Sequence, residues 1–221
     1  MWKGLVRAAR AVVGKTSSDG GPRSGSLAFR RNRAAIERGD VPEKYTRIVT
    51  HVPGQKILEI GAAEGVLALL LARDKERVYA LERNERRHTE ALRLQALWRE
   101  RGLPVDRCEM IRADLRERID LLDLVDTVVA VRSIYYLEED IVPVFEQIAR
   151  KVPNVLLCGN ADRARYFELT GGKGPPRKGF GPYDRYAGFE GMASLLEGVG
   201  YRIVDSVKEG DAIVVGHKDV P

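Results

Sequence analysis

Three residues that could do chemistry, Glu59, Gly61 and Gly65, stand close together in KILEIGAAEGVLALLLA, residues 56–72. An apolar run leads into an acid, a glycine turn and a second apolar run at helical spacing. Glycine lets a ligand approach the backbone closely, and a helix start presents unpaired N–H groups. A strand, glycine turn and helix in that order therefore suit a nucleotide or another anion. The dinucleotide fingerprint GxGxxG would need glycines at 63 and 66, where the chain has Ala63 and Val66. The phosphate loop GxxxxGK followed by Ser or Thr does not occur. More polar residues follow at the ends of later apolar runs: Glu82 and Arg83 in VYALER, Asp114 and Leu115 in IRADL, and Arg132 and Ser133 in AVRSIYYL.

The elements that must position these residues alternate in type. Strands are expected over 56–61, 77–83, 108–114, 126–133 and 154–160, and helices over 65–76, 85–102, 115–122, 138–152 and 189–200. Short Val/Ile/Leu-rich strands alternating with helices indicate a parallel sheet covered on both faces. YRIVDSVKEGDAIVVGHK adds two strands turning at Glu209-Gly210, an antiparallel hairpin at the edge. The expected fold is an open, mostly parallel seven-stranded α/β sheet whose ligands bind at the carboxyl ends of the strands.

Bulk properties narrow the class. A chain of 221 residues, 44% hydrophobic, can bury one full core and needs neither metal nor disulfides to fold. Cys108 and Cys158 are far apart and no Cys/His cluster occurs, so no metal site is expected and a reducing, cytoplasmic home is the simplest reading. No apolar run is long enough to span a bilayer, and the N-terminus lacks the features of a secretory signal. Of the net charge of +5, residues 1–40 carry nine Lys/Arg and three acids, or +6, which leaves −1 for the rest. Residues 1–40 thus read as a basic helical extension with a flexible linker at 15–26, preceding one domain at 41–221. Within MWKGLVRAARAVVG, residues 1–14, Trp2, Leu5, Val6, Ala9, Val12 and Val13 fall near one helical face. That face would suit peripheral contact with an anionic membrane, and its cations could equally form a phosphate-binding arm on RNA.

Taken together, Glu59-x-Gly61-x-x-x-Gly65, the β/α alternation and the terminal hairpin resemble the class I S-adenosylmethionine-dependent methyltransferases over residues 42–218. The resemblance implies S-adenosyl-L-methionine as cofactor. It places the turn of Glu59, Gly61, Ala62, Ala63 and Gly65 against the methionine portion. Glu82, beside Arg83, would bind the ribose hydroxyls, and Asp114, beside Leu115, the adenine amino group. Arg132 and Ser133 would face the reactive end. The chain departs from the family at Ala63, where a third glycine is common. Asp114 can also be read without any ligand, as the N-cap of the segment after it.

The acceptor is less legible. Asp/Asn-Pro-Pro-Tyr/Phe, expected after strand four for amino methylation of adenine or cytosine, is replaced by VRSIYY. Cys158 lacks the flanking proline of a cytosine-C5 nucleophile and reads as a buried apolar residue. No catalytic base stands out among His51, His88 and His217. Tyr135 and Tyr136 follow strand four at the expected substrate mouth. The loop over 170–186 reads as a mobile basic lid, with Lys173, Arg177, Lys178 and Arg185 among Phe180, Tyr183 and Tyr186. Tyr135, Tyr136, Arg177 and Tyr183 are the candidate substrate residues. The favoured acceptor is an oxygen or nitrogen of a small molecule, glycan or glycolipid. RNA is the alternative, followed by a non-catalytic binding module of the same fold.

Overall fold

A computed structural model describes residues 27–171 and 180–220. The expected helix over 1–14, the linker over 15–26, and Lys173, Arg177 and Lys178 lie outside the described residues. Five strands run parallel: β1 (Lys56–Ile60), β2 (Arg77–Leu81), β3 (Cys108–Ile111), β4 (Thr127–Val131) and β5 (Asn154–Cys158). β7 (Ile213–His217) pairs antiparallel with β5, and β6 (Arg202–Val207) closes the edge against β7. The sheet order is β3-β2-β1-β4-β5-β7-β6. It reverses between β1 and β4, and the crevice at such a switch point is where open α/β sheets bind ligands.

Period-two alternation sends successive side chains to opposite faces. Leu58 and Ile60 of β1, Val128 and Ala130 of β4, and Val155 and Leu157 of β5 join one core with Phe145 and Ile148 of α5 (Ile141–Lys151) and Leu196 of α7 (Phe189–Gly198). Ile57, Val129, Leu156 and Val215 join the opposite core. There they meet α1 (Leu27–Arg38), α2 (Glu43–His51), α3 (Val66–Leu71) and α4 (Glu85–Glu100). Phe29 and Ile36 of α1 are fully buried in this layer, and Trp98 Nε1 of α4 donates to the Ile36 carbonyl at 2.7 Å. Each such large side chain contributes about 1.5–3 kcal/mol on burial, so α1 is fastened to the sheet domain.

Several elements differ from the sequence expectation. The helix expected over 65–76 is only the six residues of α3, all buried. The charged RDKE that follows forms a turn, held where Lys75 Nζ donates to the carbonyls of Val52 and Gly54, both at 2.8 Å. The expected helix over 115–122 is two 3-10 segments, Leu115–Glu117 and Ile119–Leu124. Strands 2, 3 and 4 stop at Leu81, Ile111 and Val131, so Glu82, Asp114, Arg132 and Ser133 lie in the loops just beyond. An additional helix, α6 (Ala161–Leu169), follows β5 and is started by Asn160, whose side chain accepts from the Arg163 amide at 3.2 Å. The lid expected over 170–186 is contradicted for its second half. Residues Gly181–Ala187 form a 3-10 segment in which Asp184, Tyr186 and Ala187 are buried.

Candidate functional site

The loops beyond β1, β2, β3 and β4, joined by α2 and the β6–β7 turn, enclose a cleft of ≈ 550 Å³. That is a usual size for a small-molecule site. Of the expected cofactor residues, Glu59, Gly61, Ala62, Ala63, Glu82, Arg83, Asp114, Leu115, Arg132 and Ser133 line it. Gly65 does not: it starts α3 at φ 74°, with its Cα facing Met110 and Ala91. Tyr135 and Tyr136 line the cleft, whereas Tyr183 packs against the core and is absent from the wall.

The first turn is shaped by left-handed backbone at Gly61 (φ 75°), Ala63 (φ 52°) and Gly65 (φ 74°). Ala63 thus adopts a conformation that favours glycine, at a cost of order 1–3 kcal/mol. A Cβ at Gly61 would come within 2.7 Å of the Ser133 Cβ. Ser133 is itself buried and donates from Oγ to the Ile60 carbonyl at 2.6 Å, locking the β4 loop onto the end of β1. The glycine at 61 is therefore required by a residue 72 positions downstream, which no local pattern reveals.

Glu82 joins two turns. One carboxylate oxygen accepts from the Ala63 amide at 2.9 Å and the other from the Asn84 amide at 2.7 Å. Each oxygen keeps a second lone pair, and the residue lies in the cleft wall. Asp114 is more fully occupied. Arg116 grips both its oxygens at 2.8 and 2.9 Å, and Arg83 reaches one at 3.3 Å. Its Oδ1 also accepts the Arg116 amide, the cap expected from the sequence. The Arg116 guanidinium holds the Asp114 carboxyl below its ordinary range.

Glu59 shares the β1 face with Ile57 and is 3% exposed. Burial raises its pKa to about 8, the Ala68 amide bonded to it opposes that shift, and the nearby Glu82 adds to it. At neutral pH the carboxyl is mostly protonated. Its Oε2 has no hydrogen-bond partner among the described residues.

The other end of the cleft is built from side chains distant in sequence. Arg132, at φ 54°, pairs with Asp211 of the β6–β7 turn, and Asp211 also accepts the Ala161 amide at 3.1 Å. Lys44 and Tyr45 come from α2. Burial, and then the neighbouring Arg132, lower the proton affinity of Lys44. Burial raises Tyr45 to about 12, and Glu64 reinforces it. Burial also raises Tyr135, which is hydrogen-bonded to Asn160, so both phenols stay protonated and can donate.

Lys44, Tyr45, Asn84, Arg87, Asn160 and Asp211 are wall residues that the sequence reading missed. For Asn160 a signal existed, since an asparagine ahead of ADRARYFEL is a helix N-cap. Asn84 carries the same signal ahead of ERRHTEAL, and the other four carry no local mark. None of the three histidines lines the cleft: His51 pairs with Asp205 at 2.6 Å, His88 faces the Met110 carbonyl and His217 faces Asn154. Burial pushes the Cys158 thiol up to about 12, too high for a thiolate nucleophile.

No family model and no curated protein matches this sequence. Solved structures do match it. Magnesium protoporphyrin IX methyltransferase (ChlM) from Synechocystis PCC 6803, with bound SAH, superposes with a TM-score of 0.56 at 14% identity, over 99% of this chain and 95% of that one. The methyltransferase domain of bacterial CtHen1-C gives 0.57 at 18% identity, over 79% and 96%. Precorrin-6y C5,15-methyltransferase from Geobacter metallireducens GS-15 gives 0.52 at 18% identity, over 80% and 88%. With its strand order, its antiparallel β7 and its cleft at the switch point, the chain has the fold of the class I S-adenosylmethionine-dependent methyltransferases.

Proposed function

We propose that the protein is an S-adenosylmethionine-dependent methyltransferase acting on an oxygen or nitrogen of a small-molecule acceptor. The observation that carries this reading is Glu82, a buried acid at the end of β2 that bonds the first turn and lies in the cleft wall. The residues present fit the cofactor. Glu59 supplies a buried acceptor oxygen with no partner among the described residues, suited to an ammonium group. The two turns held by Glu82 leave its remaining lone pairs for a vicinal diol. Ala62, Ala113 and Leu115 give the cleft its apolar lining. Asp114 contributes less, because Arg116 already occupies its oxygens.

When bound, the cofactor supplies a methyl carbon on a sulfonium, so transfer leaves the bonding pair on sulfur as a thioether. The acceptor's lone pair forms the new bond, and its proton passes to solvent. The chain's task is to hold the acceptor in line, and such positioning removes a large part of the barrier in displacements of this kind. Arg132, fixed by Asp211, and the protonated Tyr135 and Tyr45 orient groups at that end. Neither cysteine and none of the three histidines lines the cleft, so the transfer is read as direct. The three superposed proteins are named for different acceptors or for none, so the likeness does not select among small molecules, glycans and RNA. Contact of residues 1–14 with a membrane belongs to the same set of proposals. No helix among the described residues is long and apolar enough to cross one.

Calorimetric titration with S-adenosylmethionine, S-adenosylhomocysteine and NAD tests the reading. The first two should bind in the micromolar range and NAD should not. Binding of NAD alone would overturn it.

A further inference from the structure

The wall of the cleft beyond β4 carries the aromatic pair Tyr135 and Tyr136. Tyr136 is 40% exposed and lines the cleft. Its ring meets Phe180 edge to face, with centroids 4.6 Å apart, and Tyr135 lies 5.0 Å away, nearly buried beneath. The surface is held from behind. The Arg163 guanidinium sits 4.6 Å from the Tyr135 centroid and 5.1 Å from that of Phe180. It pairs at 2.5 Å with Asp184, which is fully buried. The second Asp184 oxygen accepts the Phe180 amide at 3.1 Å.

The polar groups of this cluster are thus spent on one another. Arg163 and Asp184 cancel in charge, both Asp184 oxygens are occupied, and Asn160 caps α6 while bonding Tyr135. What the cluster brings to the cleft wall is Tyr135 and Tyr136, with Leu137 beside them, while Phe180 packs on Tyr136 outside the wall. At this point of the wall the exposed surface is the Tyr136 ring, and a flat π system gains from offset or edge contact with such a ring.

We propose that Tyr136, braced by Phe180, forms the acceptor platform and that the acceptor is a planar conjugated ring bearing the methylated oxygen or nitrogen. This rests on the methyltransferase reading and narrows its acceptor class. It also accounts for the lack of a histidine base at the cleft. A hydroxyl on a conjugated ring ionises far more readily than an alcohol, so its lone pair is available without strong base assistance.

The test uses the full-length protein saturated with S-adenosylhomocysteine and two probes of matched outline, 2-naphthol and decahydro-2-naphthol, followed by saturation-transfer NMR. The aromatic probe should bind and the saturated one should not. Tyr136→Leu should weaken naphthol binding by roughly two- to tenfold, while Tyr136→Trp should retain it and S-adenosylhomocysteine affinity should stay level in both. Equal binding of the two probes, or undiminished naphthol binding in Tyr136→Leu, overturns the proposal. If S-adenosylhomocysteine fails to bind while naphthol still depends on Tyr136, the cofactor reading falls and the platform stands.

Discussion

The two ends of the cleft are built differently. The end at β1, β2 and β3 is made of backbone turns with acids at or just past the strand ends: Glu59, Glu82 and Asp114. The end at β4 and β5 is made of side chains delivered from α2, from the loops after β4 and β5, and from the β6–β7 turn. The first end recognises by backbone shape and leaves little room for substitution. The second uses charge pairs between segments distant in sequence, such as Arg132–Asp211 in the wall and Arg163–Asp184 behind it. A fold that keeps one donor and changes its acceptors can be expected to have this division.

Breaking the first end should have the largest effect. Gly61→Arg places a side chain where even a Cβ meets Ser133, on a backbone at φ 75°. It should abolish S-adenosylhomocysteine binding and lower stability by about 1–3 kcal/mol in a denaturant melt. Glu82→Ala comes next. It strands the amides of Ala63 and Asn84 as well as removing the ligand acid. Calorimetry should show affinity falling by at least about tenfold, equivalent to about 1.4 kcal/mol. Asp114→Ala should cost less than Glu82→Ala, because Arg116 already competes for that carboxylate. The reverse order would show that Asp114, and not Glu82, anchors this end.

Glu59 sharpens the comparison through pH. Its pKa is raised from 4.5 to about 8 in the folded protein. Between those values the native state holds a proton that the unfolded chain has released, so this group's contribution to stability falls as pH rises. Urea melts of the ligand-free protein across that interval should show this slope, and Glu59→Gln should flatten it. An ammonium brought to the free oxygen would favour the charged form. Binding of S-adenosylhomocysteine near pH 7 should therefore release protons, seen as buffer-dependent heats, and Glu59→Gln should remove that dependence.

The smallest effect belongs to the second end. Arg132 and Asp211 are 39% and 23% exposed. Asp211→Asn should change stability by no more than about 1 kcal/mol and leave S-adenosylhomocysteine affinity nearly unaltered. A large loss of affinity would show that the two ends are not separable.

The same division explains what could be read from the sequence. Strand, turn and acid recur in register within a few residues, so β1 to β5, the hairpin and the wall positions of Glu59, Glu82 and Asp114 were legible from local pattern. Lys44, Tyr45 and Asp211 were not, because a lysine on an amphipathic helix and an acid in a hairpin turn look like solvated residues until the sheet places them together. Tyr183 has basic and aromatic neighbours in sequence that suggest a substrate loop, yet its segment folds inward around buried Asp184 and Tyr186. Gly65 had the right spacing for a cradle, but its lack of a side chain serves the packing of α3 against Met110 and Ala91.

The central claim is that the Glu82 end of the cleft holds S-adenosylmethionine. Isothermal titration of S-adenosylhomocysteine into wild-type protein and Glu82→Ala tests it most directly. The account predicts one site per chain in the micromolar range, weakened at least about tenfold by the substitution. No binding to the wild type, or equal binding to both proteins, would contradict it.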